Sequence, residues 1–146
     1  MHDLPRQLSK EQLAGLFEGD TALVRRLAEQ DDPLGRARDV IRSLSEEEKL
    51  EALNAHPAIG ARAGLSARSA AEQGQDTDPE VLAELARLNR KYEERFGFRF
   101  VVFVNRRPKA EILEVLQRRI ERTRAEELDT AVEELVAIAE DRWRRS

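Results

Sequence analysis

The sequence predicts an all-α fold, a single-domain multi-helix bundle with one short extended apolar segment at about residues 98–104. Along most of the chain, apolar residues recur at steps of three and four, and most of these stretches begin with a residue that can cap a helix. Only one run is β-branched and aromatic in the manner of a strand, so a sheet would lack a second strand within the chain.

Four helices are predicted in the first half of the chain from their N-terminal residues, whose side chains can accept a backbone N–H. These caps are Ser9 with Gln12, Asp20 or Thr21, Asp32 followed by Pro33, and Ser45 with Glu48. The fourth helix is expected to end at His56-Pro57, because the residue before a proline avoids the helical conformation.

Three more helices are predicted in the second half. Asp78 and Pro79 open the longest of them, Gly97 is placed to end it, and Pro108 begins the next. The apolar stripes of these helices are Leu82, Leu85, Leu88, Tyr92 and Phe96; then Ile112, Leu113, Leu116 and Ile120; and finally Leu128, Leu135 and Ile138.

The run FRFVVFV, residues 98–104, is the one stretch with strand-like composition. We expect it to be an extended segment buried among helices, or paired with a second copy of the chain. Its backbone N–H groups would then need partners other than a sheet. A ligand is one candidate, and solvent or side chains are the other.

The composition narrows the class of protein. A chain of 146 residues fits one domain over residues 1–146, with residues 1–8 expected to form a loose tail. The net charge of −4, with both signs mixed along the chain, argues against nucleic acid as a partner. No run resembles a signal peptide or a membrane span, so we expect a cytoplasmic protein with no membrane partner. Without cysteine, and with one plausible histidine ligand, no metal and no cofactor are expected.

His56 is the first candidate for chemistry. A helix C-terminus favours the protonated imidazole, which suits a proton donor near neutral pH. The alternative is a histidine that merely ends a helix in an exposed loop. The other histidine of the chain, His2, lies in the N-terminal tail.

The stretch SAAEQ, residues 69–73, offers a second group of polar side chains. Glu72 could orient the imidazole of His56 and raise its affinity for a proton. Gln73 carries both a donor and an acceptor, which suits an amide-like or ureido ligand. Alternatively, Ser69 and Glu72 form a capping box and serve only a helix.

Arg142 continues the apolar stripe of the last helix, since it follows Leu135 and Ile138 at steps of three and four. A guanidinium in this register either anchors an anion in the interior or extends past the helix end into solvent. Taken together, these residues point to acid–base chemistry on a small anionic molecule, without a cofactor.

The chain resembles the family of 2-oxo-4-hydroxy-4-carboxy-5-ureidoimidazoline (OHCU) decarboxylases. Four features in the same order carry the resemblance: His56-Pro57, SAAEQ, LNRKYEERFGFRFVVFV and Arg142. The resemblance extends from about Leu13 to the C-terminus and is strongest from Ala55 to Val104. Two features depart from the family pattern. Arg99 replaces the usual proline, and the N-terminal part lacks a tryptophan-containing segment.

The resemblance implies an all-α, cofactor-free enzyme, commonly a homodimer, that decarboxylates OHCU to (S)-allantoin in the last step of urate degradation. It implies His56 as the catalytic proton donor, with Glu72 supporting it. The residues that it places at the substrate are Pro57, Ser69, Gln73, Phe100, Val101, Val102, Phe103, Val104 and Arg142.

Such a reaction suits these residue types. Loss of CO₂ leaves negative charge beside a carbonyl group, so fixed backbone N–H donors of residues 100–104 could stabilise the enolate oxygen. Two alternatives stay open from the sequence. One is a related decarboxylase or isomerase for another small ureido or imide acid, and the other is a non-catalytic helical interaction module.

Overall fold

The structure is a computed structural model that describes residues 7–57 and 78–145. Within these two ranges the regular secondary structure is helical, and no residue belongs to a strand. The helices are α1 (Lys10–Phe17), α2 (Ala22–Leu27), α3 (Pro33–Ser43), α4 (Glu46–Asn54), α5 (Pro79–Phe96), α6 (Lys109–Arg119) and α7 (Arg124–Arg145). The prediction of an all-α fold is confirmed.

The helices begin at the caps that the sequence predicts. Ser9 and Gln12 form the reciprocal capping box, with their two hydrogen bonds measuring 2.9 and 3.1 Å. Thr21, rather than Asp20, caps α2. Asp32 caps α3 from a left-handed conformation with φ 54°, and its carboxylate accepts an N–H of the first turn.

Two helix ends also agree with the sequence. Gly97 ends α5 in the left-handed conformation, at φ 80°, which glycine adopts without steric strain. Helix α4 ends just before His56-Pro57, with Ala55 as its C-cap. The proline therefore follows the helix where the sequence places the break.

The chain divides into two compact units. Unit 1 consists of Met1–His56 and Val132–Ser146, and unit 2 consists of Pro57–Ala131. Helix α7 contributes its first part to unit 2 and its remainder to unit 1. The prediction of one domain over residues 1–146, with a loose tail at 1–8, stays a prediction; Leu8 itself is buried.

In unit 1, α2 packs against α1, α3 and α4. The buried side chains at these contacts are apolar, and they include Leu13, Phe17, Leu23, Val24, Leu27, Leu34, Ile41 and Leu53. Glu51 of α4 accepts the backbone N–H of Ala22 at 2.7 Å, so a carboxylate stabilises the first turn of α2. This packing fixes the end of α4, where His56 follows.

In unit 2, α5 packs against α6 beside a cluster of aromatic rings. The centroid of Tyr92 lies 4.6 Å from that of Phe96, 5.9 Å from that of Phe98 and 5.2 Å from that of Phe100. Tilted and edge-to-face contacts of this kind add to the stabilisation from burial. The cluster therefore anchors the start of the apolar run that follows α5.

Residues 98–104 have no strand partner among the described residues, as the sequence predicts. Directly after them, Asn105 and Arg106 form a turn in which both have positive φ, 49° and 62°. Side chains in this left-handed region crowd the backbone, at a cost of roughly 1–2 kcal/mol per residue.

Arg106→Gly is expected to raise the melting temperature by roughly 2–4 °C, because glycine adopts this φ without that steric cost. Thermal unfolding followed by circular dichroism measures the change. The matched control is Arg118→Gly at an exposed position of α6, where glycine should lower the melting temperature. A lower melting temperature for Arg106→Gly would contradict the expectation.

None of the helices in the described part of the chain is both long and apolar enough to span a membrane.

Candidate active site

His56 lies immediately after α4 and is buried, with 5% of its surface exposed. Its backbone N–H donates to the carbonyl oxygen of Leu53 at 3.2 Å, which ties it to the last turn of the helix. The alternative of an exposed histidine in a loop is therefore wrong. An imidazole held in the interior at a helix C-terminus has the fixed position that a directional proton donor needs.

Arg142 is also buried, with 3% of its surface exposed, so its guanidinium does not extend into solvent. Its Nη2 lies 3.0 Å from the carboxylate of Glu18. Its Nη1 donates to the carbonyl oxygens of Leu16 at 3.2 Å and Gly15 at 3.4 Å. The guanidinium is thus fixed against the C-terminal end of α1, where a cation is favoured.

Glu18 holds its side chain in this pair from a left-handed backbone conformation, with φ 65° at the C-cap of α1. A buried cation with a carboxylate partner and carbonyl contacts satisfies the requirement that charges in the interior be compensated. Sequence reasoning missed Glu18. No local pattern connects it with Arg142, which lies at the other end of the chain.

The predicted backbone-donor segment, residues 100–104, belongs to unit 2 and is largely buried. Phe100, Val101, Val102 and Val104 are buried, and Phe103 is half-buried. Within residues 7–57 and 78–145, no acceptor receives the backbone N–H of Val102 or of Val104. Donors without a protein acceptor are what an oxyanion site offers.

The carbonyl side of the same segment is, by contrast, bound by two arginines. Arg119 Nη1 donates to the carbonyl oxygen of Val101 at 2.9 Å. Arg107 Nη2 donates to that of Phe103 at 2.6 Å, and its Nε donates to that of Val104 at 3.0 Å. Two side chains therefore fix the orientation of three peptide groups.

Glu127, fully buried in the first turns of α7, holds Arg119 in place. Its Oε1 accepts from Arg119 Nε at 2.8 Å and from the Tyr92 hydroxyl at 2.5 Å, and its Oε2 accepts from Arg122 at 2.8 Å. The guanidinium of Arg119 also lies over the ring of Phe100, 4.6 Å from its centroid. The carboxylate is thus the centre of a buried hydrogen-bond network.

Burial, together with the hydrogen bond to Glu127, raises the pKa of Tyr92 above its ordinary value. The phenol is therefore protonated, and a donor, across the physiological range. Because the folded-state pKa is the higher one, this group's contribution to stability is complete below pH ~10 and is lost as the pH rises further.

Tyr92 is the single tyrosine of the chain, so the increase of absorbance at 295 nm with pH reports its ionisation above a constant contribution from Trp143. We expect no phenolate in the native protein at pH values up to ~10.5, and ionisation of about three-quarters of the phenol at that pH once urea unfolds the protein. A native titration with its midpoint near pH 10 would contradict this expectation.

Arg99, the departure from the family pattern, is half-buried, and its Nε lies 3.4 Å from Glu93 of α5. Its charge is thus partly compensated by the preceding helix.

Three predicted site residues, Ser69, Glu72 and Gln73, lie outside the described residues. His56 and Arg142 belong to unit 1, and Pro57 and residues 100–104 belong to unit 2. The roles of all these residues stay predictions. Among the described side chains, no group of three or more His, Cys, Asp and Glu residues is arranged to hold a metal ion.

Comparison with known proteins identifies the family. The model of the OHCU decarboxylase family matches residues 2–144. The 2-oxo-4-hydroxy-4-carboxy-5-ureidoimidazoline decarboxylase of Haloferax volcanii is 32% identical over 114 residues, which are 75% of this chain and 68% of that protein. The protein of the same name from Halalkalicoccus jeotgali is 32% identical over 105 residues, 69% of this chain and 60% of that protein.

A solved structure agrees with these relatives. It is an OHCU decarboxylase crystallised in the presence of (S)-allantoin, with a TM-score of 0.74 and 28% identity, covering 90% of this chain and 94% of that chain. The match extends over nearly the whole of both proteins. Together with the family model, it shows that this chain belongs to the OHCU decarboxylase family.

Proposed function

We propose that this chain catalyses the cofactor-independent decarboxylation of OHCU to (S)-allantoin, the final step of urate degradation. The observation that carries the proposal is the family match over residues 2–144. The buried imidazole at the end of α4 is compatible with it, and so are the backbone N–H groups of Val102 and Val104, which have no acceptor within residues 7–57 and 78–145.

In the proposed reaction, the bond between the ring carbon and the carboxylate breaks and CO₂ leaves. The electron pair stays on the substrate, delocalised over the ring and its oxygen. The N–H groups of residues 100–104 stabilise that oxygen, because donors fixed in advance need no reorganisation when charge develops. His56 then delivers a proton to one face of the ring, which gives a single enantiomer, and it regains its proton from solvent.

The remaining predicted residues orient the substrate. Glu72 supports the imidazole, and Ser69 and Gln73 bind the ureido group. Pro57 stops α4, so that the imidazole of His56 faces the substrate. Arg142 binds the polar substrate. Its described partners Glu18 and Leu16 compensate part of its charge, which favours contact with neutral carbonyl and ureido groups.

We also propose that the protein is a homodimer, as the family resemblance suggests, and that it is cytoplasmic, as the sequence leads us to expect. Light scattering coupled to gel filtration tests the oligomer directly. A mass near the 16.7 kDa of one chain would reject the dimer.

The test of function generates the unstable intermediate in situ from urate and follows the appearance of (S)-allantoin by circular dichroism. The protein is expected to accelerate formation of the optically active product far beyond spontaneous decay. A rate equal to that of spontaneous decay, measured with folded protein, would reject the proposed function.

A further inference from the structure

We propose that Arg119 and Arg107 are positioning residues that orient the N–H groups of Val102 and Val104 toward the substrate. The inference rests on the proposed function and adds to it two side chains that the sequence did not single out. Both arginines act through the backbone of the apolar segment and not by contact with the substrate.

Peptide geometry sets the direction of these two N–H groups. A trans peptide group is planar, so its C=O and N–H point in opposite directions, and the described residues contain no cis peptide bond. Arg119 holds the carbonyl of Val101 at 2.9 Å, so the N–H of Val102 must point away from Arg119. Arg107 holds the carbonyl of Phe103 at 2.6 Å, which directs the N–H of Val104 in the same way.

The N–H groups of Val102 and Val104 lie in a buried part of the segment and need an acceptor. Neither donates to an acceptor within the described part of the chain, although both valines are buried. Buried N–H groups are satisfied in nearly all proteins, because an unmade hydrogen bond destabilises the folded state. Two neighbouring donors that are held in place and directed away from their arginines suit a ligand oxygen.

The side chains behind the segment are themselves held in place. Arg119 is fixed at several points, by the carboxylate of Glu127, by the carbonyl of Val101 and by the ring of Phe100. Glu127 is fixed in turn by Tyr92. Glu127 alone would be enough to compensate the charge of Arg119. The Nη1 of Arg119 nevertheless donates to the backbone carbonyl of Val101. The two contacts use different nitrogens of a planar guanidinium, and the single nitrogen of lysine does not reproduce that geometry.

Arg119→Lys and Arg107→Lys test the inference. Each is expected to lower kcat by about 10- to 100-fold with little change in KM, because a displaced donor weakens binding of the transition state more than of the ground state. The matched control is Arg118→Lys, an exposed neighbour on α6, which should leave both constants unchanged. Arg107 is half-buried, so its variant keeps the test valid even if Arg119→Lys folds poorly.

A spectroscopic readout separates positioning from general stability. In protein labelled with ¹⁵N-valine, (S)-allantoin should shift the amide proton signals of Val102 and Val104 downfield. Arg119→Lys should reduce the shift at Val102 and keep that at Val104, whereas Arg107→Lys should do the reverse.

The outcomes distinguish the two proposals. Wild-type turnover without amide shifts, or variants that keep both shifts and wild-type kcat, would overturn the role of the arginines and leave the proposed function intact. A folded wild type without turnover would reject the proposed function, and the inference would fall with it.

Discussion

Glu127→Ala is expected to lower the free energy of unfolding by about 3–5 kcal/mol, the largest effect on stability that we predict for a single substitution. The change removes a fully buried carboxylate that accepts hydrogen bonds from Tyr92, Arg119 and Arg122. Arg119 would then keep its charge in the interior without a counter-ion, and the Tyr92 hydroxyl would lose its acceptor. Urea unfolding measures the difference.

The matched control for this experiment is Glu114→Ala, since Glu114 is an exposed glutamate of α6 in the same unit. Its effect should stay within about 0.5 kcal/mol. Glu127→Gln, which preserves the side-chain volume and one acceptor, should fall between the two. A loss below about 1 kcal/mol for Glu127→Ala would mean that the network contributes little to folding.

His56→Ala is expected to lower kcat by about 10²- to 10⁴-fold, the range that a positioned general acid contributes. The variant lacks the proposed proton donor, while the proposed backbone donors of residues 100–104 remain. Turnover of the intermediate generated from urate measures the loss. Free imidazole should restore part of the rate, because a small acid can occupy the space left by the side chain.

His2→Ala, which removes the other histidine of the chain, is the control and should retain wild-type turnover. Circular dichroism should show that His56→Ala keeps its helices. Undiminished turnover in the folded variant would assign the proton to another donor.

Local sequence signals predict the helices because caps and breakers act within a few residues. Ser9, Ser45, Asp78 and Gly97 all take the roles that their positions suggest. The choice between Asp20 and Thr21 could not be made from the sequence. Both side chains can cap a helix, and only the path of the chain into α2 selects Thr21.

The support behind residues 100–104 was missed, although a signal for part of it exists. Arg119 follows Ile112 and Leu116 at steps of four and three, so it lies in the buried register of α6. Arg142 was singled out by this same rule. Glu127 sits in a strongly charged stretch that resembles a solvated helix start, so its burial depends on tertiary contacts.

For His56, the sequence placed the residue correctly at the end of a helix but could not decide its exposure. Burial arises from packing between helices, which the His-Pro pattern does not encode. For the same reason, the sequence offered an interior or a solvent-facing Arg142 and could not name Glu18 as its partner.

The pairing of Arg142 with Glu18 limits how this lineage can change over evolutionary time. Losing either residue alone breaks an ion pair whose guanidinium is buried, a change that commonly destabilises a protein by several kcal/mol. Descendants should therefore keep both residues or replace both together. In an alignment of relatives, these two distant columns are expected to covary, and a sequence that retains only one should carry a compensating charge nearby.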